Sequence, residues 1–271
     1  VAQCATLLNP GDCFGSVGTQ FTDGTSSYSA LQLNVTKGMS HGLQLITSYT
    51  WSHSVDTGSS FENSGFGARG TNPFFPNLNV GDSQFDARQR MVIGYVYVIP
   101  SLHHVAHWAP DRIFGGWKMT GITTFQTGFP IAFSDTGFRS LTCDAFSFYG
   151  CQDNPNQNGP VSLLNARTAT FTGKTFYGFD PTQFTRQPFG TFGNTGRNIF
   201  HGPGIENWDY SLQKDTKLTE RTSFQVGIEG YNLWNHTQFG NPNGNRASGN
   251  FGRILSAAQG RLVQLRAKVS F

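Results

Sequence analysis

Seven histidines, sixteen acidic residues and four cysteines are the groups through which this chain could do chemistry. His103 and His107 stand four apart and would share one face of a helix, as a zinc-binding pair does. No glutamate fills the position a metalloprotease needs, and Pro100 and Pro110 bracket the segment, so it reads as an amphipathic turn that includes His104. His53 with Asp56 invites an acid–base reading, but no nucleophile or oxyanion device accompanies them. No catalytic residue, metal ligand or cofactor is therefore assigned, and the chain is not read as an enzyme. The cysteines form two close pairs, Cys4/Cys13 and Cys143/Cys151, in Gly/Asp/Asn-rich stretches without CxxC spacing. Two loop disulfides made in an oxidising compartment are favoured over free thiols.

Eight charged residues stand inside alternating segments: Asp86, Arg88, Arg90, Lys118, Asp209, Glu229, Arg266 and Lys268. Their meaning depends on the elements that carry them. The terminal stretch from Arg261 to Phe271 shows the pattern most clearly. Val263, Leu265, Ala267, Val269 and Phe271 fall on one face, with Leu262, Gln264, Arg266, Lys268 and Ser270 on the other. A period of two describes a strand between an apolar medium and water. An aromatic last residue suits the closing strand of an outer-membrane barrel. In such a barrel those five residues would carry the signal read by the barrel-assembly machinery.

Composition agrees. Charged residues make up 13%, about half the usual share for a soluble domain, while aromatics reach 14%. Mean hydropathy is still only −0.33. Strands with one lipid face and one wet face, joined by polar loops, reconcile these values. The net charge of +3 is too small and scattered for a nucleic-acid partner. No apolar run is long enough for a transmembrane helix. Nor does Val1-Ala2-Gln3-Cys4 begin a signal peptide, so either one has been removed or this is the C-terminal part of a longer protein.

Seven segments alternate well enough to predict strands: 28–37, 42–52, 86–99, 116–127, 206–215, 222–233 and the terminal one. Leu31, Leu33, Tyr49, Trp51, Met91, Ile93, Tyr95, Tyr97, Trp117, Met119, Trp208, Tyr210, Phe224, Val226 and Ile228 fall on the predicted lipid faces. The eight charged residues fall on wet faces, where they line a substrate route or contact a plug and the wall; the second role is preferred. Connections at 38–41, 100–115 and 216–221 are short or moderate, whereas those at 53–85, 128–205 and 234–259 are long. Transmembrane barrels show this asymmetry, with long loops outside and short turns in the periplasm. Aromatics cluster near the strand ends as two girdles: Tyr49, Trp51, Tyr231 and Trp234 outside, Trp117, Phe224 and Phe271 inside.

The expected fold is all-β, an antiparallel transmembrane barrel in the outer membrane of a Gram-negative-type bacterium. Seven strands cannot close such a barrel, which has an even number, and bare edges in lipid cost several kcal/mol per unsatisfied group. The whole chain, 1–271, is thus expected to be a C-terminal section of one larger barrel domain.

Several stretches, in order along nearly the whole chain, carry a resemblance. They include Ser48-Tyr49-Thr50-Trp51-Ser52-His53-Ser54, Asp86-Ala87-Arg88-Gln89-Arg90 and Phe125-Gln126-Thr127-Gly128-Phe129-Pro130. Others are Gly193-Asn194-Thr195-Gly196-Arg197-Asn198, Asn207-Trp208-Asp209, Tyr231-Asn232-Leu233-Trp234-Asn235-His236 and Phe239-Gly240-Asn241-Pro242. The set resembles the C-terminal barrel section of TonB-dependent outer-membrane receptors, in particular the Oar-like group with a carboxypeptidase-regulatory-like domain, common in acidobacteria. The resemblance implies a 22-stranded barrel, an internal plug, and uptake driven by the TonB–ExbB–ExbD complex through a TonB box. None of those N-terminal parts is visible in these residues.

The 128–205 loop is the candidate for ligand contact, with Phe138, Phe146, Phe148, Tyr149, Phe176, Tyr177 and Phe179 as aromatic surfaces suited to a sugar or an oligopeptide. Self-packing of the loop would use the same residues. A passive porin or surface adhesin is the alternative function, and a soluble secreted carbohydrate-binding β-sandwich the second alternative.

Overall fold

The computed structural model describes residues 24–59, 76–101, 108, 110–137, 139–140 and 153–271. The predicted residues Cys4, Cys13, Cys143, Cys151, His103, His104, His107, Phe138, Phe146, Phe148 and Tyr149 lie outside the described residues.

Twelve strands follow in chain order. They are β1 (Ser26–Ser40), β2 (Leu43–Asp56), β3 (Gly81–Asp82), β4 (Gln89–Val98) and β5 (Trp117–Gln126). Next come β6 (Asn156–Gln157), β7 (Thr170–Phe171), β8 (Lys174–Thr175) and β9 (Phe184–Thr185). The last three are β10 (Ile205–Lys217), β11 (Ser223–Tyr231) and β12 (Leu262–Ser270). The seven long strands form one antiparallel sheet in the order β1-β2-β4-β5-β10-β11-β12, with β3 added to β2. All seven predicted strands are there. The third starts at Gln89, later than expected, because Asp86 and Arg88 are drawn into a polar cluster at the strand's foot. β1 and β2 meet in a two-residue turn in which His41 (φ 53°) and Gly42 (φ 76°) are both left-handed, the geometry that matches strand twist.

Register carries the two-faced pattern from strand to strand. Leu31 pairs with Trp51 and Leu33 with Tyr49. Tyr49 pairs with Met91 and Leu45 with Tyr95. Met91 is opposite Phe125 and Tyr97 opposite Met119. Met119 then meets Leu212, Leu212 meets Ile228, and Ile228 meets Leu265. Directly paired residues point to the same side, so these side chains form one continuous apolar face. Many of them are exposed, Leu265 to 83%. Among the described residues no second layer covers that face, and such a surface is stable against lipid, not water. On it Phe125 meets Trp208 edge-on at 5.5 Å and Tyr95 lies 5.6 Å from Tyr210. Tyr95 also fills the space left by Gly121.

The buried apolar core lies outside the sheet. Ile131, Phe133, Phe179, Phe184 and Phe251 cluster where the 128–204 and 232–261 connections pack on each other. Phe133 stacks on Phe184 at 4.7 Å, and Phe179 lies 5.2 Å from Phe251.

Candidate functional site

The sheet face opposite the apolar one is the lumenal wall. Register places Arg90, Lys118, Asp209, Glu229, Arg266 and Lys268 on it, together with Gln44, Thr50, Thr120, Thr124, Ser211, Gln213 and Gln264. Two of its charges pair, Glu229 and Arg266. Glu229 accepts from Gln264 at 2.6 Å and faces Arg266 at 3.4 Å, and Arg266 donates to Gln213 at 2.6 Å. Tyr231 also belongs to this wall, since it continues the line of Gln225 and Glu229 and pairs with Leu262. It is therefore not part of an outward aromatic girdle, in contrast to Tyr49 and Trp51. Its hydroxyl lies 3.3 Å from Glu229.

The long connections form a folded cap at one end of the sheet. Isolated bridges join Ser134 to Asn245, Asp135 to Asp153 and Tyr177 to Arg253, so the 128–204 and 232–261 connections share one backbone framework. Tyr177 (4% exposed) and Phe179 (0%) are buried within it, and this corrects their assignment as ligand-contact surfaces: they are packing residues. Phe176 remains 46% exposed and is the one residue of that group, among the described residues, that offers its ring to solvent. Asp135 is buried against Arg186, whose Nε and Nη2 donate to it at 2.7 Å. Burial pushes the Asp135 carboxyl up, but the Arg186 bonds, the Gly137 N–H and the nearby Arg139 outweigh it and hold the group below the ordinary aspartate range.

A second polar cluster latches the cap to the strand rim. Arg197 reaches across to Asp56 at the end of β2, with Nη2 at 2.5 Å from the carboxylate and Nη1 at 2.7 Å from the Asp56 carbonyl. Both side chains are under 5% exposed, at 3% and 4%. The neighbouring Asn198 donates to the Asp82 carbonyl at 2.7 Å. Arg88 then bridges two carboxylates: Nη2 lies 2.8 Å from both oxygens of Asp82, and Nε 2.7 Å from Asp86. His53 contacts Asp82 at 2.9 Å, and His201, from the long loop, lies 3.4 Å from Asp86. Burial raises the Asp82 carboxyl, yet the bonds from Arg88 and His53 and the charges of Arg88 and His201 bring it below its usual value.

His53, Asp82 and Asp86 present ligand atoms within 4.8 Å of one another, close enough for a metal. The Arg88 guanidinium already supplies the positive charge there. Asp86 and Arg88, expected on the strand's wet face, thus belong to this rim latch and not to the wall. Sequence reasoning missed Arg197, Asp82 and His201, whose partners are up to 141 residues away. The signal available for Arg197 was its place in the motif Gly193-Asn194-Thr195-Gly196-Arg197-Asn198.

An antiparallel sheet with a lipid-compatible face, a polar wall behind it and a folded cap at the long-loop end defines an outer-membrane barrel protein. The chain matches the Outer membrane beta barrel domain family over residues 2–264 and belongs to that family. Its place is the bacterial outer membrane, in contact with lipid. Neither a curated protein nor a solved structure matches it. The soluble sandwich reading is set aside, since among the described residues no second sheet packs against the apolar face and the family is a membrane one.

Proposed function

We propose that this chain is part of the wall and outer cap of a TonB-dependent uptake receptor, with its further strands pairing to the edges of β1 and β12. The observation that carries the reading is the open sheet: each of these two strands has a single partner among the described residues. Unpaired edges in hydrocarbon cost several kcal/mol per group, so the barrel needs more strands than these. The ordered motifs that resemble Oar-like receptors support the same reading, and those carrying Asp86, Arg88, Arg197 and Asn198 hold the cap to the rim. The plug, the TonB box and the barrel-assembly machinery are partners implied by that resemblance, and the transported compound is a small molecule taken from outside.

The test uses the native protein from its host's membrane fraction, run unboiled and boiled on SDS gels and probed through β12. A heat-modifiable band near or above about 100 kDa (roughly the size of a large barrel with its plug) that cross-links to TonB in intact cells is the expected result. A heat-modifiable band that never cross-links to TonB would replace this reading with a passive porin or adhesin.

A further inference from the structure

We propose that the hollow at the long-loop end of the lumenal wall, between β10, β11 and the 232–260 connection, binds a neutral sugar. The hollow has a volume of about 560 Å³, within the range of small-ligand sites. Thr124, Asn207, Asp209, Tyr231 and Gln259 line it. Among the described residues no lysine or arginine does. It is built by two motifs that lie far apart in the chain, Asn207-Trp208-Asp209 and Tyr231-Asn232-Leu233-Trp234-Asn235-His236.

The lining is held rigidly. The Asn232 N–H donates to Asp209 at 2.9 Å. The Asn232 amide donates to the His236 carbonyl at 2.9 Å and accepts from the His236 N–H at 2.9 Å. Asn232 itself is left-handed, with φ 49°, and so turns the chain sharply after Tyr231. Gln238 is tied to the backbone of Glu206 through both ends of its amide. A pre-set wall of this kind lowers the ordering cost of binding.

What remains free has the chemistry of sugar recognition. The side chains of Thr124, Asn207 and Gln259 make no hydrogen bond to other described residues, and one Asp209 oxygen is likewise uncommitted. Two amides, a hydroxyl and a carboxylate can donate to and accept from neighbouring sugar hydroxyls. Tyr231, 43% exposed, offers a ring face to the C–H side of a pyranose. A cationic peptide is the poorer fit. Among the described residues a single free oxygen of Asp209 is the only acidic group it would meet in the hollow, and the nearby Glu229 is already engaged by Gln264 and Arg266.

This inference rests on the proposed uptake role and names the compound class for it. Full-length protein, purified from native membranes in detergent, would be titrated by calorimetry with maltose, cellobiose, xylobiose and chitobiose, and with trilysine as a cationic counter-probe. Saturable binding of at least one disaccharide is expected. Asn207→Ala and Tyr231→Ala should each weaken it about tenfold or more. Tyr231→Phe should retain most of the affinity, and Leu163→Ala, at an exposed position of the cap, should retain all of it. Heat-modifiable migration checks that each variant folds, and Thr124→Val, near-isosteric, should weaken binding severalfold if the larger truncations do not assemble. No binding of any disaccharide, binding indifferent to Asn207→Ala and Thr124→Val, or tighter binding of trilysine would overturn the proposal. Binding in detergent needs no TonB, so its failure is distinct from the failure of TonB cross-linking that would remove the uptake reading.

Discussion

Arg197 and Asp56 form an ion pair removed from water at the point where the longest loop meets the sheet. Deleting one partner leaves the other charge buried and unpaired, which costs about 3–5 kcal/mol, whereas replacing both by apolar groups often costs little. Arg197→Met should therefore open the cap to protease added to intact cells, and Arg197→Met with Asp56→Leu should recover much of the resistance. Asp135 gives a pH dependence. Its folded pKa lies below its unfolded value of about 3.9, so its contribution is fully present above that value. The contribution is lost as pH falls through the lower folded value. Protease resistance of the cap, followed from pH 6 to pH 2.5, should drop at the acid end, and Asp135→Asn should flatten that drop. On the strands, Leu265→Arg or Val226→Arg puts a charge on the lipid face, at roughly 2–4 kcal/mol near the midplane. Gln264→Arg and Gln225→Arg put it on the wall. Outer-membrane assembly, read by heat-modifiable migration, should fail for the first two and survive for the second two.

The elements divide by how they are stabilised. The long strands follow from local alternation and from cross-strand pairs that repeat it, which is why all seven and their phases were legible in the sequence. The strands β3 and β6 to β9 have two residues each. β7 and β8 form a local hairpin across Thr172-Gly173, whereas β3, β6 and β9 exist through partners supplied by distant segments. No local period announces them. The cap depends on close backbone approach at a few glycines. A Cβ on Gly128 would fall inside van der Waals contact with the carbonyl oxygens of Gly202 and Pro203, where the cap joins β5 and β10. Gly128→Ala should destabilise the cap by about 1–3 kcal/mol, the usual cost of overpacking. Limited proteolysis should then cut within the 128–205 loop, while β12 stays heat-modifiable; unchanged cleavage would show that the contact relaxes freely.

At the scale of the molecule, the apolar core and the apolar face are different surfaces with different partners. The core of phenylalanines stabilises the cap in water, and the sheet's apolar face is left for lipid. A soluble protein would bring the two together. The chain should consequently need detergent or a bilayer to stay dispersed; refolding to a monodisperse species in plain buffer, with native near-UV circular dichroism, would contradict this arrangement.

Alternation, loop-length asymmetry and composition by themselves determined that this is an outer-membrane barrel, which long strands it has and which way the residues inside those strands face. These properties repeat every two residues, so a short window of sequence contains them. The aromatic loop residues could not be sorted the same way. Tyr177 and Phe179 turn inward while Phe176, one and three residues away, stays at the surface, because partners such as Phe133, Phe251 and Arg253 arrive from other segments. Tyr231 sits at a strand end like a girdle residue, but its register puts it on the wall. Only the tertiary structure joined Arg197 to Asp56 and Asn207 to Tyr231, since contacts between loops separated by many residues depend on how the whole sheet sets their ends.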